Sequence, residues 1–85
     1  MPRMIVEYEF DPPATEEQFD AAAAKLDPCL EGRDVVWLRS FVALDRKRRL
    51  CIFDAPDAES VREAYRSAGV RFARVWPAEE ITEDD

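Results

Sequence analysis

Through the segment MIVEYEF, the apolar residues Met4, Val6, Tyr8 and Phe10 alternate with Ile5, Glu7 and Glu9. Met, Val, Tyr and Phe occupy every second position, and two glutamates lie between them. A period of two is typical of a strand with one buried face. The following Asp11-Pro12-Pro13 ends the pattern, because two consecutive prolines remove two backbone donors. We therefore predict a first strand over residues 4–10.

Two later segments place apolar residues at the i, i+3, i+4, i+7 spacing of an amphipathic helix. The stripes are Phe19, Ala22, Ala23 and Leu26 in the first segment, and Val61, Ala64, Tyr65 and Ala68 in the second. Thr15 and Gln18 form a capping-box pattern before the first stripe, and Asp57 is a favourable N-cap for the second. We expect the first helix to end at Pro28 and the second at Gly69.

Further apolar segments complete the set of strands. They are expected over residues 35–44, 49–55 and 70–76. The polar turn Asp45-Arg46-Lys47-Arg48 should join the second and third strands into a hairpin. Strict alternation in the second strand places Trp37, Arg39 and Phe41 on one side, and Pro77 should end the fourth strand.

The resulting element order, β-α-β-β-α-β, predicts an α+β, ferredoxin-like fold with a four-stranded antiparallel sheet and two helices on one face. We assign residues 1–78 to this single domain and 79–85 to an acidic C-terminal tail. No further element remains to cover the second face of the sheet, which also carries apolar residues. We therefore expect a homodimer through the sheet face, of the dimeric α+β barrel type.

Composition limits the class of protein. The chain has 85 residues, 47% hydrophobic content and two glycines, which argues against disorder, and it has no apolar run near roughly 20 residues that would indicate a membrane span. Its net charge of −7 argues against nucleic acid as a partner. With two cysteines and no visible secretory signal, we expect reduced thiols and a cytoplasmic location.

The residue types also limit the chemistry. The chain contains no histidine, which excludes the Ser-His-Asp and Cys-His systems and the HExxH zinc motif. With only Gly32 and Gly69, neither a GxGxxG loop nor a Walker loop can form. An enzyme is therefore less favoured than a binding module. The basic run from Arg46 to Arg49 is expected to be a solvated hairpin tip.

Five side chains are candidates for a ligand-binding cleft: Glu7, Trp37, Arg39, Cys51 and Arg74. Glu7 shares one side of its strand with Glu9, and a carboxylate there could accept hydrogen bonds or bind a divalent cation. The arginines would pair with an anion, and Trp37 would form an apolar wall. The plain alternatives are a solvated glutamate face and, at Cys51, a small buried hydrophobic residue.

Four segments carry a family resemblance. They are MIVEYEF, the set Trp37, Ser40 and Phe41, the C-x-x-x-A-P-D of Cys51 to Asp57, and the R-E-x-x-R-x-A-G of Arg62 to Gly69. These segments resemble the nickel-binding-protein-like family of small bacterial domains of unknown function. The resemblance implies a ferredoxin-like fold, a dimer and a divalent metal such as nickel as cofactor. Ala64 departs from the family, whose members often carry histidine there, so that carboxylates and thiols remain as ligands.

Three functional hypotheses follow. The leading one is a homodimeric module that binds a divalent metal ion or a small ligand on the sheet face. The second is a cofactor-independent enzyme of the dimeric-barrel type, an oxygenase or isomerase, which would need a closed apolar pocket of several hundred Å³ behind the sheet. The third is a pure interaction module that binds no ligand.

Overall fold

The computed structural model describes residues 2–83. Its elements are β1 (Arg3–Glu9), α1 (Glu16–Glu31), β2 (Val36–Val42), β3 (Arg48–Asp54), α2 (Ala58–Ala68) and β4 (Arg74–Ala78). The strands form one antiparallel sheet in the order β2-β3-β1-β4. This arrangement confirms the predicted ferredoxin-like α+β fold. Met1 of the predicted domain and Asp84 and Asp85 of the predicted tail lie outside the described residues.

Both helices begin where their capping residues predicted. The Thr15 side chain accepts a hydrogen bond from the backbone N–H of Gln18, and the Gln18 side chain accepts one from the backbone N–H of Thr15. At α2, the Asp57 carboxylate accepts from the backbone N–H of Ser60 at 2.7 Å, a bond that lowers the pKa of Asp57. Gly69 ends α2 with φ of 70°, a left-handed conformation that glycine adopts without steric cost.

The prediction that α1 ends at Pro28 is wrong, because the helix continues to Glu31. The final turn is stabilised by tertiary contacts that outweigh the hydrogen bond lost at the proline. Leu30 is buried in the core, and the Arg33 side chain donates to the backbone carbonyl of Cys29 at 2.9 Å and to Ser67 at 3.0 Å.

The fourth strand is also shifted from its predicted range of 70–76. Val70 continues the end of α2 by donating its N–H to the carbonyl of Tyr65, and Phe72 packs against the core before the strand begins. Pro77 lies inside β4, opposite Met4. β4 is an edge strand, so no neighbouring strand lies on its outer side. A proline N–H that is missing on that side therefore removes no hydrogen bond from the sheet.

The core lies between the helices and one face of the sheet. Its most deeply buried members are Val6 of β1, Phe53 of β3, Ala55 after it, and Val61, Ala64 and Tyr65 of α2. The molecule measures 37 × 31 × 17 Å, which is a slab of two layers. Within residues 2–83, neither helix combines the length and the apolar character needed to cross a membrane.

Candidate functional site

The sheet surface that points away from the helices is termed the open face. It is formed by Ile5, Glu7, Arg39, Phe41, Leu50, Ile52, Arg74 and Trp76. Phe41 is 60% exposed, Trp76 40% and Leu50 38%, although all three are large apolar side chains. The open face therefore presents apolar side chains to solvent on β2, β3 and β4, whereas Ile5 of β1 is buried among them.

Charged side chains on the open face are engaged with one another. The Trp76 indole N–H donates to the Glu7 carboxylate at 2.8 Å, and the Arg74 guanidinium approaches the same carboxylate at 3.4 Å. The Glu7 side chain is only 17% exposed. Arg39 and Arg3 lie 3.4 and 3.6 Å from Glu80. Glu7 is therefore already occupied by two donors from β4.

A bulge in β2 changes which side chains share a face. Trp37 pairs with Phe53, and Arg39 pairs with Ile52, so Leu38 is the additional residue between them. Phe53 is a core residue of the helix side, so Trp37 also lies on the helix side, whereas Arg39 lies on the open face. The prediction that Trp37, Arg39 and Phe41 share one side is wrong for Trp37, because strict alternation does not allow for a bulge.

The five candidate residues are consequently divided between two faces. Glu7, Arg39 and Arg74 lie on the open face, where Glu7 and Arg74 are in contact. Trp37 and Cys51 lie on the helix side, linked through Ser40: the Trp37 indole donates to the Ser40 hydroxyl at 2.8 Å, and that hydroxyl lies 3.0 Å from the Cys51 sulfur. The five residues do not form a single cleft.

Two tyrosines continue this polar group into the core. The hydroxyls of Tyr8 and Tyr65 are hydrogen-bonded, and both residues are buried. Burial raises the pKa of Tyr8 and that of Tyr65 well above their ordinary value. Both phenols therefore stay neutral at physiological pH, where they can donate hydrogen bonds but cannot serve as a general base.

Arg49 is the residue that the sequence reasoning missed, since it was assigned to a solvated basic run. In the structure it faces Tyr8 across the β1–β3 pair, and its guanidinium carbon lies 5.4 Å from the Tyr8 ring and 4.7 Å from the Phe19 ring. The arginine is half-buried, and its Nε is buried without a hydrogen-bond partner. The sequence pattern could have indicated this position, because the strand alternation that buries Cys51 and Phe53 also turns Arg49 toward the helices.

Two cavities adjoin Arg49 between α1 and the sheet. The larger, of about 540 Å³, is lined mainly by Tyr8, Phe10, Gln18, Phe19, Arg49, Val70, Arg71 and Phe72. The smaller, of about 400 Å³, is lined mainly by Phe19, Ala23, Leu26, Trp37, Arg49, Cys51 and Tyr65. The alanines of the α1 stripe leave this space open, because a methyl group does not reach the sheet. Volumes of this size are typical of small-molecule sites.

The chain is similar to a known protein family in sequence and to a solved structure in fold. A family model described as nickel responsive protein SCO4226-like matches residues 4–78. The crystal structure of SCO4226 from Streptomyces coelicolor A3(2) is similar to this chain with a TM-score of 0.81, at 14% sequence identity, over 94% of this chain and 99% of that chain. At that identity the likeness shows the fold. No curated protein matches the chain in sequence.

Proposed function

The chain belongs to the nickel responsive SCO4226-like family, and we propose that it functions as a homodimeric module that binds a small ligand. The observation that carries the proposal is the open face, an apolar sheet surface that no element of the described chain covers. Ligand binding is supported by the two cavities between α1 and the sheet. The two roles use opposite faces of one sheet.

The dimer is supported by the amount of apolar surface that one copy leaves in water. The slab is only 17 Å thick, and Phe41, Leu50 and Trp76 are each more than one third exposed. Soluble monomers rarely leave contiguous apolar patches of this kind uncovered. A chain of this length also buries a smaller fraction of its surface than a larger domain does. Packing two sheets together removes this surface from water.

A second copy of the chain fits the open face better than a partner whose surface is uniformly positive or uniformly negative. The face and its margin carry both cations, such as Arg39 and Arg74, and anions, such as Glu7 and Glu80. A two-fold axis brings identical surfaces together. A surface with mixed charges can rotate so that opposite signs meet, whereas a uniformly charged surface repels its own copy.

A nickel ion does not fit the donor atoms of the described chain. Imidazole nitrogen suits nickel, and the chain has no histidine. Within residues 2–83, no group of three or more cysteine, aspartate or glutamate side chains is close enough to hold a metal ion. Glu7, the carboxylate predicted as a ligand, is held by Trp76 and Arg74. We propose that this member keeps the family fold and does not bind nickel through these residues.

A cofactor-independent enzyme is the second candidate, and the larger cavity is the observation that favours it. Its volume of about 540 Å³ agrees with the several hundred Å³ that such an enzyme needs, but the cavity is partly open to solvent and not closed. Tyr8 lines this cavity, and its neutral hydroxyl would act as a hydrogen-bond donor in such a site. We further propose a cytoplasmic location, supported by Cys29 and Cys51, which are both free thiols.

Light scattering after size-exclusion chromatography tests the dimer. Wild-type protein should elute with the mass of two chains, and Leu50→Asp should elute as one, because the substitution places a charge in the apolar centre of the open face. Leu44→Asp is the matched control: Leu44 is fully exposed beyond the end of β2, and its change should leave the dimer intact. A monomeric wild-type protein at micromolar concentration would contradict the proposal.

Calorimetric titration of tag-free protein with Ni²⁺ tests the metal statement. We expect no binding heat above that of dilution. A saturable heat that Glu7→Gln abolishes would show that Glu7 leaves its β4 partners to bind the metal, and would overturn this statement.

A further inference from the structure

We propose that the larger cavity between α1 and the sheet binds a small organic carboxylate with an aromatic body, and that the Arg49 guanidinium holds its carboxylate group. The proposal names the ligand class for the ligand-binding role proposed above and rests on that role. It does not rest on the dimer, because Arg49 lies on the side of the sheet opposite to the open face.

The state of the Arg49 side chain is the first observation. Among the described residues it forms no ion pair, and its one polar contact is a long 3.5 Å approach of a terminal nitrogen to the Ser40 hydroxyl. Its Nε is buried without a partner. A half-buried guanidinium with unused N–H donors costs free energy in the chain without a ligand. A carboxylate that accepts two parallel hydrogen bonds from the guanidinium offsets this cost.

The apolar walls of the cavity are the second observation. Tyr8 and Phe10 stack with ring centroids 5.9 Å apart, and Phe10 meets Phe19 edge to face at 5.6 Å. Phe72 and Val70 line the same space. Flat aromatic walls favour a flat apolar ligand, since offset-stacked and edge-to-face contacts add to the gain from burial. The cavity of about 540 Å³ is large enough for one substituted ring.

The surrounding charges favour a single negative charge on the ligand. Arg71 lines the cavity beside Arg49, and Glu9 and Asp11 line it as well. Glu9 is exposed and lies 3.9 Å from Arg74, which offsets part of its charge. A polyphosphate would meet these carboxylates and a chain of net charge −7, whereas a monocarboxylate needs only the one guanidinium.

Phenylacetate and its neutral analogue phenylacetamide are the probes for this site. Titration of ¹⁵N-labelled protein, followed by the Nε–H signal of Arg49, should give saturable shifts with phenylacetate and a dissociation constant on the order of 1 mM or below. Phenylacetamide should bind about tenfold or more weakly, because it lacks the charge that strengthens the hydrogen bonds. Equal binding of the two probes, or no binding of either, overturns the proposal.

Two substitutions locate the carboxylate. Arg49→Gln should weaken phenylacetate binding about tenfold or more and remove the preference over the amide, whereas the matched control Arg48→Gln should change neither. Arg48 is exposed, precedes Arg49 on β3 and points to the other side of the sheet. Unchanged binding in Arg49→Gln overturns the proposal. If that variant fails to fold, the wild-type Arg49 Nε–H signal decides alone: a signal unmoved by saturating phenylacetate also overturns the proposal.

Light scattering on the same samples reports the dimer separately. A monomer that still binds phenylacetate through Arg49 would contradict the dimer and leave this inference standing. A dimer that binds neither probe would overturn this inference and leave the dimer standing.

Discussion

The two faces of the sheet are built from alternate residues of the same strands, yet they have opposite environments. On the helix side Phe53 is 1% exposed, and on the open face Phe41 is 60% exposed, although both are phenylalanines at strand positions. The helices account for the difference, because they cover one face only. One face therefore stabilises the single copy, while the other is the surface on which the proposed dimer depends.

Truncating one phenylalanine on each face tests this division most strongly. Phe53→Ala should lower the free energy of unfolding by about 3–5 kcal/mol, because it leaves a cavity in a packed core. Phe41→Ala should cost less than about 1 kcal/mol at dilutions where a dimer dissociates, since its ring already contacts water. Urea unfolding followed by circular dichroism measures both. Similar losses in the two variants would contradict the division.

Alkaline pH offers a second test, because both tyrosines of the chain lie on the helix side. Burial raises the pKa of Tyr8 and of Tyr65 above the ordinary value of about 10. The unfolded chain then loses protons that the folded protein keeps, so stability is complete below about pH 10 and falls above it, by about 1.4 kcal/mol per pH unit for each tyrosine.

The Tyr8→Phe variant isolates the contribution of one tyrosine, since it removes one of the two titrating groups. The free energy of unfolding should then fall less steeply with rising pH than in the wild-type protein. Urea unfolding between about pH 9 and 11 measures the change in the free energy of unfolding. This range extends about one unit on either side of the ordinary pKa of tyrosine. The absorbance of tyrosinate supplies an independent check. A titration midpoint at about pH 10 in the folded protein would show that the phenols are not buried.

The smallest effect is expected on the open face, at the contact between Glu7 and Arg74. Glu7→Gln removes the charge but keeps an oxygen that can accept from the Trp76 indole, so it should cost less than about 1 kcal/mol. Glu9→Gln is the matched control, because Glu9 is 64% exposed and lies 3.9 Å from Arg74, and it should cost close to nothing. Urea midpoints at low and high salt measure both changes. A loss above about 3 kcal/mol for Glu7→Gln would instead indicate a buried ion pair.

Much of the fold could be predicted because its signals are local. The capping box at Thr15, the N-cap at Asp57 and the left-handed Gly69 fixed three helix ends, and period-two alternation in β1 assigned Glu7 to the side opposite Val6. The candidate site was predicted less well. Glu7 and Arg74 do meet, but Trp37 and Cys51 lie on the other face, and Arg49 was not among the candidates.

The amino-acid sequence by itself determined the order of the elements, the two helix stripes and the presence of an uncovered sheet face, because periodicity and capping depend on residues close together in the chain. Only the tertiary structure decided three features. The burial of Leu30 carries α1 past Pro28, the bulge at Leu38 turns Trp37 toward the helices, and the packing of Phe19 of α1 near Arg49 forms the cavity that both residues line. Each of these depends on contacts between distant segments, where packing outweighs local preference.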